Sequence, residues 1–324
     1  MKNKFLLVML TVLFTVLVAC SNEGAESKKD GDSSDYPNKP IEVVVPVGAG
    51  GDTDLNTRIT AKYLEKELGD SIVISNIEGS GGSTGIKEVL SKKPDGYTAL
   101  AYHNAMLVNN IYGLADYTAE DFKYAGIGIL DQSNTFLVSE KSEYKDIDSL
   151  IAYAKENPGK VKVATEVGAM THLQILEFQQ KTGVEFNIVD AGGASEKITA
   201  LLGGRVDIVP TSLGLVKDYV ESGEMIPLGV IAEDRLEGAP DVPTFKEQGV
   251  DMAVDKVFYW AFHPDTPDEV IDVFSDALEK VAENEDFIEE IQKNLLTSKY
   301  FSSEDTMEKL NNITEHDKEV YDNQ

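Results

Sequence analysis

Four times between residues 41 and 195, a short apolar run ends in a glycine-rich loop, and each loop leads into a segment of helical spacing. The loops are VGAGGDT (47–53), EGSGGST (78–84), TEVGAMT (165–171) and DAGGAS (190–195). A strand that stops in bare backbone and hands over to a helix is the unit of a parallel sheet. Such sheets hold ligands at the carboxyl ends of their strands, where loops meet helix N-termini.

The rest of the chain repeats this α/β alternation. Strands are expected at 41–46, 71–75, 97–102, 124–130, 135–138, 161–164, 186–189, 206–210, 226–232 and 257–262. Helices are expected at 54–68, 83–93, 146–156, 171–182, 195–203 and 213–222, followed by a C-terminal group at 268–284, 286–296 and 304–320. The first helix carries Leu55, Ile59, Tyr63, Leu64 and Leu68 on one stripe and stops at Gly69, with Asp54 as its expected N-cap.

With 324 residues the chain is long enough for two domains. Its beginning reads differently. Lys2 and Lys4 precede an uncharged apolar run from Phe5 to Val18, which has the shape of a secretory signal. Residues 21–35 are small, polar and charged, the composition of a flexible tether. Against 29 basic residues stand 57 acidic ones, a net charge of -28 that repels nucleic acid. Cys20 is the sole cysteine, so no disulfide forms within the chain.

Glycine permits positive φ and close approach of a ligand to the backbone, while free amides and helix dipoles favour an anion. Each charge-assisted hydrogen bond nets about 1.5 to 3 kcal/mol, so four or five loop amides suffice for micromolar affinity, about -8 kcal/mol. None of the four loops contains Lys or Arg, which makes main-chain capture the expected mode.

Other chemistries fit the spacing less well. The last glycine of G-x-G-x-x-G would fall on Thr53 or Thr84, and no G-x-x-x-x-G-K-[ST] occurs. Gly81-Gly82-Ser83-Thr84-Gly85 matches G-x-S-x-G, leaving a serine-hydrolase alternative with Ser83 as nucleophile and His103 or His172 as base. The four histidines are scattered and no H-E-x-x-H is present, so no metal or other cofactor is expected. Trp260, in FYWAF, reads as packing rather than as a ligand platform.

Two family resemblances emerge from these motifs. LVAC at 17–20 resembles the lipobox of bacterial lipoproteins, which implies removal of residues 1–19 and acylation of Cys20. VPVGAGGDTD (45–54), SNIEGSGGSTG (75–85), KPDGYT (93–98), LIAYAKENPGKVKVAT (150–165), ALLGGRVDIV (200–209), APDVPTFKEQG (239–249) and WAFHPDTP (260–267) occur in that order. Together they resemble the extracytoplasmic solute-binding receptors of tripartite tricarboxylate transporters, also called Bug-type receptors.

That resemblance implies a two-lobed, periplasmic-binding-protein-like fold of type II kind, each lobe a mostly parallel sheet flanked by helices. Lobe 1 would comprise 36–138 plus 228–324, and lobe 2 would comprise 139–227. It implies a lipid-anchored, monomeric receptor on the extracytoplasmic face of the cell membrane, without enzymatic activity, that passes a small carboxylate-bearing ligand, a di- or tricarboxylate or an amino-acid-like molecule, to integral-membrane permease subunits. A ligand-presenting subunit of a surface sensor would need the same cleft.

First-lobe ligand contacts carried over by the resemblance are Gly48, Ala49, Gly50, Gly51, Asp52, Thr53, Gly79, Ser80, Gly81, Gly82, Ser83, Thr84, His103 and Asn104. Those of the second lobe are Gly168, Ala169, Met170, Thr171, Asp190, Gly192, Gly193, Ala194, Ser195 and Thr211. The sequence departs from the family pattern at Ile77, Asp190, Ala191 and Glu166. An acid at Asp190 would suit a ligand with a cationic or hydroxyl-bearing end, such as an amino acid, or a metal chelate.

Overall fold

The computed structural model describes residues 36–324; the expected signal, lipobox and tether lie outside the described residues. The chain first lays down β1 (Ile41–Val45), α1 (Asp52–Leu68), β2 (Ile72–Asn76), α2 (Ser83–Leu90), β3 (Thr98–His103), α3 (Ala105–Ile111) and β4 (Lys123–Asp131). It then forms β5 (Asn134–Ser139), α4 (Ile147–Glu156), β6 (Lys162–Thr165), α5 (Met170–Thr182), β7 (Asn187–Asp190), α6 (Ala194–Leu202), β8 (Val209–Ser212), α7 (Lys217–Glu221) and β9 (Met225–Val230). The final stretch is β10 (Lys256–Phe262), α8 (Asp268–Glu283), α9 (Glu285–Gln292), β11 (Thr297–Phe301) and α10 (Ser303–Asp322).

The first sheet has the order β11-β4-β10-β3-β1-β2. β1 is parallel to both β2 and β3, while β10 runs antiparallel between β3 and β4. In the second group β8-β5-β9 form one sheet and β6-β7 another, joined by a parallel bridge between Val163 and Ile208. Read across that bridge, the order β7-β6-β8-β5-β9 repeats β2-β1-β3-β10-β4, again with one antiparallel strand in fourth place. Two lobes of the same plan result, and in both the strands before the glycine loops point their carboxyl ends to one edge.

Residue choice explains the local structure. Val43, Val44 and Val45 are buried in the interior strand β1, each contributing about 1.5 to 3 kcal/mol by burial. On α1, Ile59, Tyr63 and Leu64 enter the core, whereas Leu55 of the expected stripe is exposed. Gly69 ends that helix in the left-handed conformation, its N–H bonding to Glu65 O. Trp260 is buried against Phe274, with ring centroids 5.4 Å apart, as packing.

Sheet membership moves the expected lobe boundaries. β5 pairs with β8 and β9, so the crossing falls at Gln132 and Ser133 rather than near Ser139. Ile231, Phe245, Val250 and Met252 join the second-lobe core, which delays the return until just before β10 instead of Pro227. Strand pairing over such separations leaves no local trace. Two elements were not anticipated: α3, whose Ala105, Met106, Leu107 and Val108 are all buried and show no amphipathic period, and the edge strand β11.

Candidate functional site

Loops from both lobes meet around one cavity of about 450 Å³. The first lobe supplies Gly48, Ala49, Gly51, Asp52 and Thr53 after β1, Glu78, Gly79 and Gly82 after β2, and Tyr102 and His103 at the end of β3. The second supplies Asn134, then Glu166, Ala169, Met170 and Thr171 after β6, Gly192, Gly193, Ala194, Ser195, Glu196 and Lys197 after β7, and Thr211 and Ser212 of β8. Lys256, the first residue of β10, completes the charged lining.

Opening residues of α1, α5 and α6 line this cavity, so the positive ends of three helix dipoles act on it. The amides of Gly48, Ala49, Gly51, Gly192 and Gly193 meet no protein acceptor among the described residues, as main-chain capture requires. Not every loop amide is free. Gly50 N donates to Asp54 Oδ2 at 2.9 Å, and Gly82 N to Gly79 O at 3.0 Å. Gly82 has φ +93°, and a Cβ there would lie 2.6 Å from Tyr102 Oη, so only glycine fits without displacement.

Side-chain charge is present as well, contrary to the expectation of amides alone. Lys197 and Lys256 are both buried, 5% and 7% exposed. Lys256 Nζ pairs with the Asp52 carboxylate, whose Oδ1 also accepts from Thr53 N at 2.8 Å. Burial pushes Asp52 upward, but the Lys256 ammonium and the Thr53 N–H acting together outweigh it and hold the carboxyl well below the usual range. Ser212 Oγ lies 3.3 Å from Asp52 Oδ2 and hydrogen-bonds to Asp131, which also accepts from Ser133 N at 2.8 Å and Ser133 Oγ at 2.6 Å. One polar chain thus runs from α1 through β8 to the first crossing between lobes.

His103 is kept neutral by burial and by Lys256. Its Nδ1 accepts from Ala105 N at 3.1 Å, which leaves the ring proton on Nε2. Burial raises Glu166 above its ordinary value, an effect that Lys197 opposes. Among the described residues no group of three or more His, Cys, Asp or Glu could hold a metal ion.

Several expected contacts fall outside the lining: Gly50, Ser80, Gly81, Ser83, Thr84, Asn104, Gly168 and Asp190. Asn104 instead ties the lobe together, its Oδ1 accepting from Val257 N at 3.2 Å. Asp190, at the exposed end of β7, lines an adjacent groove beside Ala191 and Arg205 rather than the cavity itself. Asp54 is not the N-cap. Gly51 takes that place with extended backbone, and Asp54 in the first turn holds Gly50 N and Arg58.

The serine-hydrolase alternative also fails on geometry. Ser83 is a buried first residue of α2, absent from the cavity lining, and neither His103 nor His172 hydrogen-bonds to it. Sequence reasoning missed Tyr102, Asn134, Glu78, Glu196, Ser212, Lys197 and Lys256. Lys197 stood two residues beyond a named loop, which was a usable signal; Lys256 at the head of an apolar run gave none.

No helix among the described residues is long and apolar enough to cross a membrane. Residues 57–323 match the family model described as "Tripartite tricarboxylate transporter family receptor". A Cupriavidus necator protein, "UPF0065 protein in gbd 5'region", is 31% identical over 277 residues, covering 83% of this chain and 82% of that one. The structure of periplasmic binding protein BugD superposes with a TM-score of 0.83 at 25% identity, over 89% of this chain and 98% of that one. R. palustris Rpa4515 with adipate gives a TM-score of 0.83 at 24% identity, over 88% and 97% respectively. With a matched model over most of its length and the two-lobed cleft in place, the chain belongs to the tripartite tricarboxylate transporter receptor family, whose members are extracytoplasmic solute-binding proteins and not enzymes.

Proposed function

We propose that the protein captures a small carboxylate-bearing metabolite between its lobes and delivers it, without chemical change, to the integral-membrane permease of a tripartite tricarboxylate transporter. The convergence of free loop amides from both lobes on one cavity is the observation that carries this reading. A ligand touching both lobes favours the closed arrangement by its differential affinity, and closure is the signal a permease reads. The adipate named with Rpa4515 fits the same chemistry.

The same reading makes the receptor a monomer acylated at Cys20, on the strength of Lys2, Lys4, the apolar run and LVAC. Titration calorimetry of the full chain against mono-, di- and tricarboxylates and amino acids tests capture. Micromolar binding of a carboxylate is expected, and heat from none of them would sink the proposal. Delivery is checked by co-purification with the permease, acylation by loss of fatty-acid labelling in Cys20→Ser.

A further inference from the structure

The lobes also touch beside the cavity. Along α5 of the second lobe, Leu173 and Leu176 pack on Val108 of α3 and Val320 of α10, both on first-lobe helices. Gln180 Nε2 of α5 donates to Val320 O at 2.7 Å. The chain itself crosses between lobes elsewhere, at Gln132–Ser133 and just before β10, so this contact is free to part when the lobes move. Met170 and Thr171 at the start of α5 line the cavity, which ties a shift of that helix to the width of the cleft.

Acids face one another across the contact. Glu177 of α5 and Asp317 of α10 are only 5% and 9% exposed. Lys181 Nζ and His316 Nε2 each lie 3.5 Å from the Glu177 carboxylate, whereas Asp317 Oδ2 has no hydrogen-bond partner among the described residues. Tyr112, after α3, brings its ring to 5.2 Å from His172 and 4.7 Å from Tyr321. Its hydroxyl and both amide atoms of Gln174, three residues before Glu177, are likewise buried without partners. Two buried carboxylates on opposing helices repel, and one that lacks a donor is costly as an anion. A proton on Asp317 relieves both penalties, and so does water once the helices part.

We propose that the α5–α10 contact is a proton-operated latch: protons on Asp317 and His316, facing Glu177, hold the two lobes together, so that acidification shifts the receptor toward its closed arrangement. Burial, aided by the Glu177 carboxylate, pushes Asp317 up to about 7, and the same carboxylate raises His316. Both values are higher with the helices in contact than apart, so the closed form binds more protons. Closure therefore strengthens as pH falls through about 7 toward the ordinary carboxylate range. His172 opposes this at the acid end, because burial lowers it and its protonation favours opening. The latch rests on the hinge motion of the proposed receptor and not on the identity of its ligand.

The test measures the distance between lobes in the full chain without ligand. Spin labels on Lys66→Cys in α1 and Lys155→Cys in α4, both exposed positions, report it by pulsed electron resonance in a Cys20→Ser background. From pH 8 to pH 6 the ratio of closed to open protein should rise about 10-fold, a readout that needs no latch variant to fold. Asp317→Asn, the neutral isostere, should remove most of the rise and keep the closed population high at pH 8. Glu177→Gln should flatten the profile as well, with thermal melts confirming that both variants fold. A distance distribution unmoved between pH 8 and pH 6, or a pH profile like wild type in both variants, overturns the latch. An intact pH response in a protein that binds no carboxylate supports the latch and sinks the carboxylate reading alone.

Discussion

The two lobes present nearly the same backbone to the cavity and opposite solutions to buried charge. In the first, Asp52 opens α1 and pairs with Lys256, so the helix dipole, the carboxylate and the ammonium satisfy one another. In the second, Lys197 sits one turn into α6 and, among the described residues, hydrogen-bonds only neutral oxygens, with Glu166 and Glu196 nearby but unpaired. The first arrangement matches each charge with its opposite, whereas the second leaves the ammonium to neutral acceptors.

The largest change comes from breaking the complete side. Asp52→Ala strands Lys256 in the interior and should cost about 3 to 5 kcal/mol by chemical denaturation. Adding Lys256→Met should recover most of the loss, since the stranded charge is its source. A double variant as unstable as the single one would mean that the pair is not what holds this region.

pH sharpens the contrast from the other side. Lys197 falls from 10.5 to about 8 on folding, so the unfolded chain binds more protons between those values and stability rises with pH across that window. The rise from this group amounts to at most about 3 kcal/mol and should be missing in Lys197→Met. Parallel stability profiles for wild type and variant would contradict the assignment.

Smaller effects compare the loops. Gly82→Ala combines positive φ with a clash against Tyr102 Oη and should cost about 1 to 3 kcal/mol. Gly192→Ala keeps φ +81° but meets nothing closer than 3.5 Å, so about 1 kcal/mol is expected. Thermal melts rank the two, and equal losses would show that space around Gly82 is immaterial. Least of all, the exposed Arg235–Glu247 pair should change stability by under about 1 kcal/mol in Arg235→Ala.

Much of the fold was legible because its signals are local. The β-branched runs became β1 to β10 within a few residues, and Gly69 ended α1 where glycine's left-handed conformation allows. The uniformly buried α3 and the edge strand β11 lacked any period to detect. At the site, sixteen of the expected contacts line the cavity, because a strand, its glycine loop and the next helix form one continuous stretch of chain. Asp190 lies in the neighbouring groove for a geometric reason: proximity to a loop in sequence does not fix which side of the strand end a carboxylate occupies.

The sequence by itself determined the α/β alternation, the glycine loops and the character of the cleft as a place for anions, since these follow from steric freedom and amide polarity within a few consecutive residues. Only the tertiary structure decided that Lys256 pairs with Asp52 across 204 positions while Lys197 forms no ion pair among the described residues. Charge pairing depends on distance in space and on exclusion of water, and neither exists until the lobes have folded around the cavity.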